Sequence, residues 1–191
     1  MRIFSPLYAR VMRWSRHPKA SWYLGIMSFA ESSFFPIPPD VMLAPMSLAR
    51  PERAWWYATL TTATSVAGGL FGYLIGAVFF EAIRPWLELS SLWEPFQTAQ
   101  VWFMEWGFWA VFIAGFSPIP YKAFTIAAGM LGMPLIPFTL ASVVGRGGRF
   151  YLVAGLMKWG GARMESLLQR YVDRLGWATV AVIVIGVLLW R

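Results

Sequence analysis

The chain has 191 residues, of which 58% are apolar and 12 are tryptophan, and its formal net charge is +7. Soluble domains are about 45–50% apolar, so this composition indicates a membrane protein, in which indole rings favour the headgroup level. The absence of cysteine excludes disulfides, thiolate nucleophiles and thiolate metal sites. Nucleic-acid binding explains the positive charge poorly, because the basic residues lie beside apolar segments and form no recognisable reading motif.

The first two segments are predicted to lie on and partly in the membrane. Residues 1–19 mix basic and apolar side chains at roughly helical spacing, which predicts an amphipathic interfacial helix on the cytoplasmic leaflet. Basic residues run through this whole segment, so it lacks the apolar region of a signal peptide. Residues 20–35 are short for a span of about 20 residues, contain Glu31 and end in prolines. A half-span is therefore predicted there.

The segment from Trp55 to Phe80 carries no charge and is predicted to be a transmembrane helix. Its glycines Gly68, Gly72 and Gly76 recur every fourth residue and line one face, where another helix can approach closely. The sequence leaves open whether that face packs within one chain or in a homodimer. Basic residues precede this helix and acidic residues follow it, so the positive-inside rule places the N-terminus on the cytoplasmic side of the membrane.

The remaining apolar segments complete one membrane domain over residues 20–191. Two proline-interrupted elements are predicted, at about 20–48 and about 106–133. Further transmembrane helices are predicted at about 135–157 and 175–191. The last of these is short, which leaves open whether it spans fully. The predicted fold class is an all-α integral membrane protein.

An internal repeat relates the two proline-interrupted elements. "FFPIPPD" (34–40) and "FSPIPYK" (116–122) align at a constant offset of 82 residues, with Asp40 opposite Lys122. Prolines break helices, and exposed backbone inside a membrane must be buried in protein or line a wet cavity. With one crossing between them, the elements enter from opposite sides, which predicts two inverted re-entrant helix-loops, as in secondary transporters. The prolines that would break these helices are Pro36, Pro38, Pro39, Pro118 and Pro120.

Five ionisable residues lie inside these apolar segments: Glu31, Asp40, Lys122, Arg146 and Arg149. An ionised side chain at mid-bilayer costs about 2.5–3.5 kcal/mol, so five unpaired charges would cost on the order of 10 kcal/mol or more. They are therefore expected to pair or to contact water. Intramembrane charges commonly mark substrate or proton pathways, and the alternative is that they only lock the helices together.

Three motifs resemble those of the DedA family of membrane proteins, whose shared region is also called the VTT or SNARE-associated domain. Glu31, Pro36, Pro38 and Asp40 match that family's E-x4-P-x-P-x-[D/E] signature. "FSPIPYK" with the following "IAAG" (126–129) is similar to its second motif, and "GRGGRFY" (145–151) to its third. The resemblance covers about residues 20–160.

The second motif departs from that of better-known members, which carry arginines where Gly115 and Tyr121 stand. Together with Lys122 and the two arginines of the third motif, this is more similar to the YqaA-like branch. The resemblance implies opposed re-entrant helix-loops and movement of lipids across bilayers, by recycling of undecaprenyl phosphate or scrambling of phospholipids. It further implies dependence on the proton motive force in some members.

The leading hypothesis is therefore a flippase or scramblase for a lipid with an anionic phosphate head. Lys122, Arg146 and Arg149 would bind the phosphate, while Glu31 and Asp40 would carry protons and couple them to transport. The alternative is a proton- or ion-coupled transporter of a small solute, or an ion-homeostasis protein. An enzyme is less favoured, because His17 is the only histidine and leaves neither a catalytic base in the membrane nor a metal site. No cofactor is expected.

Overall fold

The computed structural model describes residues 17, 19–33, 38–117 and 120–161, and every regular element among them is helical. This confirms the predicted all-α class. The elements are α1 (Ala20–Ser33), α2 (Asp40–Ala49), a short 3-10 turn (Pro51–Arg53), α3 (Ala54–Glu88), α4 (Trp93–Phe116), α5 (Tyr121–Met130) and α6 (135–161). The span predicted over 175–191 lies outside the described residues, as do Pro36 and Pro118. Of the helix predicted over 1–19, only His17 and Lys19 are described.

The proline motifs separate the helices of two hairpins. Helix α1 ends at Ser33, and α2 begins directly after Pro39, whose lack of an N–H is tolerated at a helix start. Helix α4 ends at Phe116, and Pro120 directly precedes α5. Each proline motif therefore lies, in sequence, between two helices.

Helices α1 and α3 run parallel to each other. Ser28 Oγ donates to the Thr61 carbonyl at 2.8 Å, and Ser33 Oγ donates to the Gly68 carbonyl at 3.0 Å, so the contacts advance together along both helices. The short helix α2 brings the chain back between them. Accordingly, its Leu43 and Met46 share an apolar core with the first residues of α1 and α3, together with Phe150 and Ala154 of α6.

The second half repeats this arrangement. Helices α4 and α6 are parallel, because Gly145 approaches the backbone of Phe112 and Gly148 approaches the ring of Phe116. Helix α5 returns the chain between them, and Gln100 Nε2 of α4 donates to the Leu131 carbonyl at 2.9 Å, just beyond the end of α5. Each half thus consists of a long helix, a short returning helix and a second long helix.

The two halves point in opposite directions. Helices α3 and α6 are antiparallel, since Ser65 contacts Arg146 while Thr59, nearer the start of α3, lies 2.6 Å from the Tyr151 hydroxyl. Helix α6 is parallel to α4, so α3 and α4 are also antiparallel. The first three helices therefore run opposite to their counterparts α4, α5 and α6, as an inverted repeat requires.

The glycine stripe of α3 packs within the chain. A Cβ added at Gly76 would overlap the carbonyl of Ile126 in α5, and one added at Gly129 would overlap the carbonyl of Tyr73. Only glycine permits the two backbones to approach this closely. This glycine face of α3 therefore packs within one chain, and a homodimer stays a prediction.

The outer surface of the described helices is strongly apolar. One described helix, Pro51–Glu88, is long and apolar enough to cross a membrane. Only 28% of its most apolar 18-residue stretch is buried inside the protein. Large apolar side chains on other helices also point outward, including Trp102 of α4 and Ile136 of α6. By length and composition, the Pro51–Glu88 helix is therefore compatible with a membrane span.

Candidate functional site

Four of the five charged residues singled out in the sequence form two ion pairs. Glu31, near the end of α1, pairs with Arg146, and Asp40, the first residue of α2, pairs with Arg149. The two arginines are three residues apart on α6 and therefore share one face of that helix. Both pairs join a carboxylate of the first half to an arginine of the second half.

The guanidinium of Arg146 is enclosed by protein and is only 2% exposed. Besides Glu31, it bonds to Ser65 Oγ through Nε at 2.6 Å and to Ser32 Oγ through Nη2 at 3.2 Å. Its central carbon lies 4.8 Å from the ring centroid of Tyr121 and 4.7 Å from that of Phe150, which places the cation between two aromatic faces. This set of partners compensates a buried charge.

The Asp40–Arg149 pair is more accessible, with side chains 22% and 21% exposed. Arg149 donates to Asp40 Oδ2 through Nη2 at 2.5 Å and Nε at 3.2 Å, and to the Ser117 carbonyl through Nη1 at 2.7 Å. The other carboxylate oxygen, Oδ1, is buried and accepts no hydrogen bond from the described residues. Arg149 therefore connects the start of α2 to the end of α4.

Lys122 is half-buried in the first turn of α5 and follows Tyr121, whose ring covers Arg146. Among the described residues, its ammonium group has no ion-pair or hydrogen-bond partner. A helix N-terminus carries partial positive charge, so Lys122 adds a cation to an end that is already positive. The corresponding position of the first half, Asp40, instead places a favourable anion at the start of α2.

The polar and aromatic residues that surround the charges were not predicted from the sequence. Ser32 and Ser65 contact Arg146 directly, and Tyr121 and Phe150 enclose it. The available signal was a pair of small hydroxyl residues one turn apart, Ser28 and Ser32, in a mostly apolar helix. Facing them across the helix interface are Thr61 and Ser65, with the same spacing.

An apolar groove of about 430 Å³ runs between the first halves of α1 and α3. Its lining is almost wholly apolar, and two indole rings, of Trp22 and Trp56, mark one end. Two other lining residues are near the site in sequence: Phe29 is two positions before Glu31, and Thr64 directly precedes Ser65. The lining residues are Ser21, Trp22, Gly25, Ile26, Phe29, Trp56, Leu60 and Thr64.

Metal ligands are not clustered in the part of the chain that the structure describes, where no group of three or more His, Cys, Asp or Glu could hold an ion. The site thus consists of two ion pairs between the halves, with buried hydroxyl groups around one of them. Its observed chemistry is charge pairing.

Fold and site together define a helical protein with two inverted halves and charges at their interface. A family model for the VTT domain matches residues 35–159. The chain is 42% identical over 186 residues to an uncharacterized protein of Haemophilus influenzae, covering 97% of each, and 41% identical over the full length of an uncharacterized protein of Histophilus somni. The chain therefore belongs to the VTT-domain family, also called the DedA family.

A further similarity is to undecaprenyl phosphate transporter A of Staphylococcus aureus. The two sequences are 36% identical over 67 residues, which are 35% of this chain and 32% of the transporter. No solved structure matches the chain significantly.

Proposed function

We propose that this protein is a membrane transporter that moves a phosphate-headed lipid, such as undecaprenyl phosphate or a phospholipid, across the bacterial inner membrane. The two helical hairpins act as re-entrant elements that enter from opposite faces, with the N-terminus in the cytoplasm. Family membership and the partial similarity to an undecaprenyl phosphate transporter support this proposal. The apolar outer surface of the helices supports insertion into a bilayer.

Lys122, whose ammonium group has no partner among the described residues, is the observation that carries the proposal. Both carboxylates at the interface between the halves, Glu31 and Asp40, are already paired with arginines. An anionic head group supplies the missing charge at Lys122. Arg149, which is partly exposed and bonds to the carbonyl of Ser117 near the same turn, offers the phosphate a second donor.

Arg146 has a different role in this proposal. Its buried guanidinium is held by Glu31, two serines and two aromatic rings. A phosphate would have to displace several of these partners to reach it. Arg146 therefore keeps the halves together, while Lys122 and Arg149 face the substrate.

The groove between α1 and α3 favours a lipid over a small polar solute. Its volume of about 430 Å³ lies in the usual range of ligand pockets, about 300–1,000 Å³. An acyl or isoprenyl chain would fill its apolar lining, while the head group lies near the charged residues. A small hydrophilic solute has no part that would occupy it.

Glu31 and Asp40 are the proposed proton carriers. Protonation of either carboxylate removes the charge that holds its arginine. Release of Arg149 from Asp40 would then free its donors for a phosphate. Proton binding and phosphate binding are coupled in this way without any cofactor.

Lipid movement in liposomes tests the proposal. Purified protein should move a fluorescent polyprenyl phosphate or phospholipid between leaflets, and a pH gradient should change the rate. Lys122→Gln should slow movement by about 10-fold or more, since a hydrogen bond to a charged group is worth about 1.5–3 kcal/mol. Lys158→Gln is the matched control, because Lys158 lies over the Trp55 ring, away from the ion pairs.

Two results would overturn the proposal. One is wild-type protein that moves no lipid faster than empty liposomes do. The other is a Lys122→Gln variant that is as fast as the control. Uptake of a small solute such as inorganic phosphate, without lipid movement, would support the alternative of a solute transporter.

A further inference from the structure

Two buried hydroxyl groups complete a ring around the Glu31–Arg146 ion pair. Ser32 of α1 and Ser65 of α3 are fully buried, and their Oγ atoms are 2.7 Å apart. Ser65 Oγ lies 2.6 Å from Arg146 Nε, and Ser32 Oγ lies 3.1 Å from Glu31 Oε2. Since Arg146 also bonds Glu31 directly, four side chains on three helices form a closed ring.

The direction of each hydrogen bond in this ring follows from the chemistry of arginine, which donates and never accepts. Ser65 Oγ must accept from Arg146 Nε–H, so the single hydroxyl proton of Ser65 is available to Ser32. Ser32 accepts that proton and donates its own to Glu31. The chain of donors therefore ends on the Glu31 carboxylate.

An ionised carboxylate suits this end of the chain, because it only accepts hydrogen bonds. Protonation of Glu31 removes the negative charge that pairs with Arg146 and makes Oε2 a weaker acceptor for the Ser32 hydroxyl. One protonation event therefore weakens the ion pair and the serine chain together. Cooperative networks of this kind are stable only when every member is satisfied.

We propose that Ser32 and Ser65 are positioning residues that hold ionised Glu31 against Arg146 and set the pH at which the two halves separate. This inference rests on the proposed proton-coupled lipid transport. The charged and titratable groups around the ring are Arg146 and Arg149 on α6, Asp40 on α2 and Tyr121 on α5. Substitution of the serines leaves all of them in place.

The first test compares pH profiles of lipid movement in liposomes. Ser65→Ala removes the hydroxyl bridge from Arg146 Nε to Ser32 and leaves the direct ion pair, so ionised Glu31 is held less firmly and the midpoint should move to higher pH, by about one unit. Ser32→Ala should act in the same direction, and Ser65→Thr, which keeps a hydroxyl group, should retain the wild-type midpoint. Ser28→Ala is the control, because Ser28 is buried in the same interface but donates only to the Thr61 carbonyl.

The second test measures the separation of α1 and α6 without transport. The chain has no cysteine, so Trp22→Cys and Leu156→Cys, both at exposed positions, give two specific attachment sites for spin labels. The distance between the labels should increase as the pH falls. The midpoint of this change should be higher in Ser65→Ala than in Ser28→Ala.

The outcomes separate this inference from the proposed function. If lipid moves but Ser65→Ala and Ser28→Ala have the same midpoints, or if the label distance is independent of pH, the serines do not position Glu31. If the label distances change as expected but wild-type protein moves no lipid, the ring stands and lipid transport is wrong.

Discussion

Neutralising Glu31 should destabilise the protein, because it removes the counter-charge of a guanidinium that is only 2% exposed. Breaking a buried ion pair costs about 3–5 kcal/mol. The lower end applies here, since the Glu31 side chain is 16% exposed and Arg146 keeps its serine and aromatic partners. At about 2–4 °C per kcal/mol for a chain of this size, Glu31→Gln should lower the Tm by about 6–12 °C.

The double variant Glu31→Gln/Arg146→Met shows whether the loss comes from charge. With both charges removed no ion is left uncompensated, so at least half of the lost Tm should return. The control is Arg84→Gln, which breaks an exposed pair with Glu88 one turn away on α3 and should leave the Tm unchanged. The Tm is measured by heating the detergent-solubilised protein and following its folded fraction by size-exclusion chromatography.

Two results would refute this reasoning. A Tm for Glu31→Gln equal to that of Arg84→Gln would mean that Arg146 does not depend on the carboxylate for its charge balance. A double variant no more stable than the single variant would mean that packing, and not charge, accounts for the loss.

Three further variants test the accessible ion pair, the glycine stripe and the groove. Asp40→Asn should lower the Tm less than Glu31→Gln does, because its pair is about one-fifth exposed, yet it should abolish the effect of a pH gradient on lipid movement. Gly76→Ala should lower the free energy of unfolding by about 1–3 kcal/mol, since its Cβ would overlap the Ile126 carbonyl. Gly147→Ala, whose Cβ would lie 3.5 Å from Thr62, should be neutral or stabilising. Thermal unfolding distinguishes the two variants. Leu60→Trp, which fills the groove, should slow movement of a polyprenyl phosphate. Leu74→Trp, on the exposed surface of the same helix, should not. Equal rates for the two variants would mean that the lipid does not use the groove.

The inverted hairpins were accessible from the sequence because proline and charge are strong local signals in apolar segments. The repeat of "FFPIPPD" and "FSPIPYK" placed the helix breaks, and the charge asymmetry around 55–80 predicted opposite directions. The acidic residues after Phe80 were less informative about where the helix ends. Helix α3 continues to Glu88 and α4 starts at Trp93, because exposed acidic residues are compatible with helix.

The pairing of the charges could not be deduced from the sequence. Either carboxylate could have paired with any of the three cations, and only the packing of α6 against α1 and α3 determines which atoms meet. The roles of the buried serines were hidden for a similar reason. A serine in an apolar helix often bonds to the backbone of its own helix, as Ser142 does to the Phe138 carbonyl at 2.7 Å. The sequence does not distinguish such a serine from one that bonds to a neighbouring helix.

The distribution of charge between the halves gives the proposed coupling a physical basis. In the first half the interior charges are carboxylates, and in the second half they are cations, so neither half neutralises its own. At the offset of 82 residues, the corresponding pairs are Glu31 and Ile113, Asp40 and Lys122, Thr64 and Arg146, and Ala67 and Arg149. Separation of the halves would leave each ion uncompensated, at about 2.5–3.5 kcal/mol apiece inside a membrane. The halves would therefore separate at low cost only under two conditions. In the first half, protons must replace the cations beside the carboxylates. In the second half, an anion such as a phosphate must replace the carboxylates beside the cations.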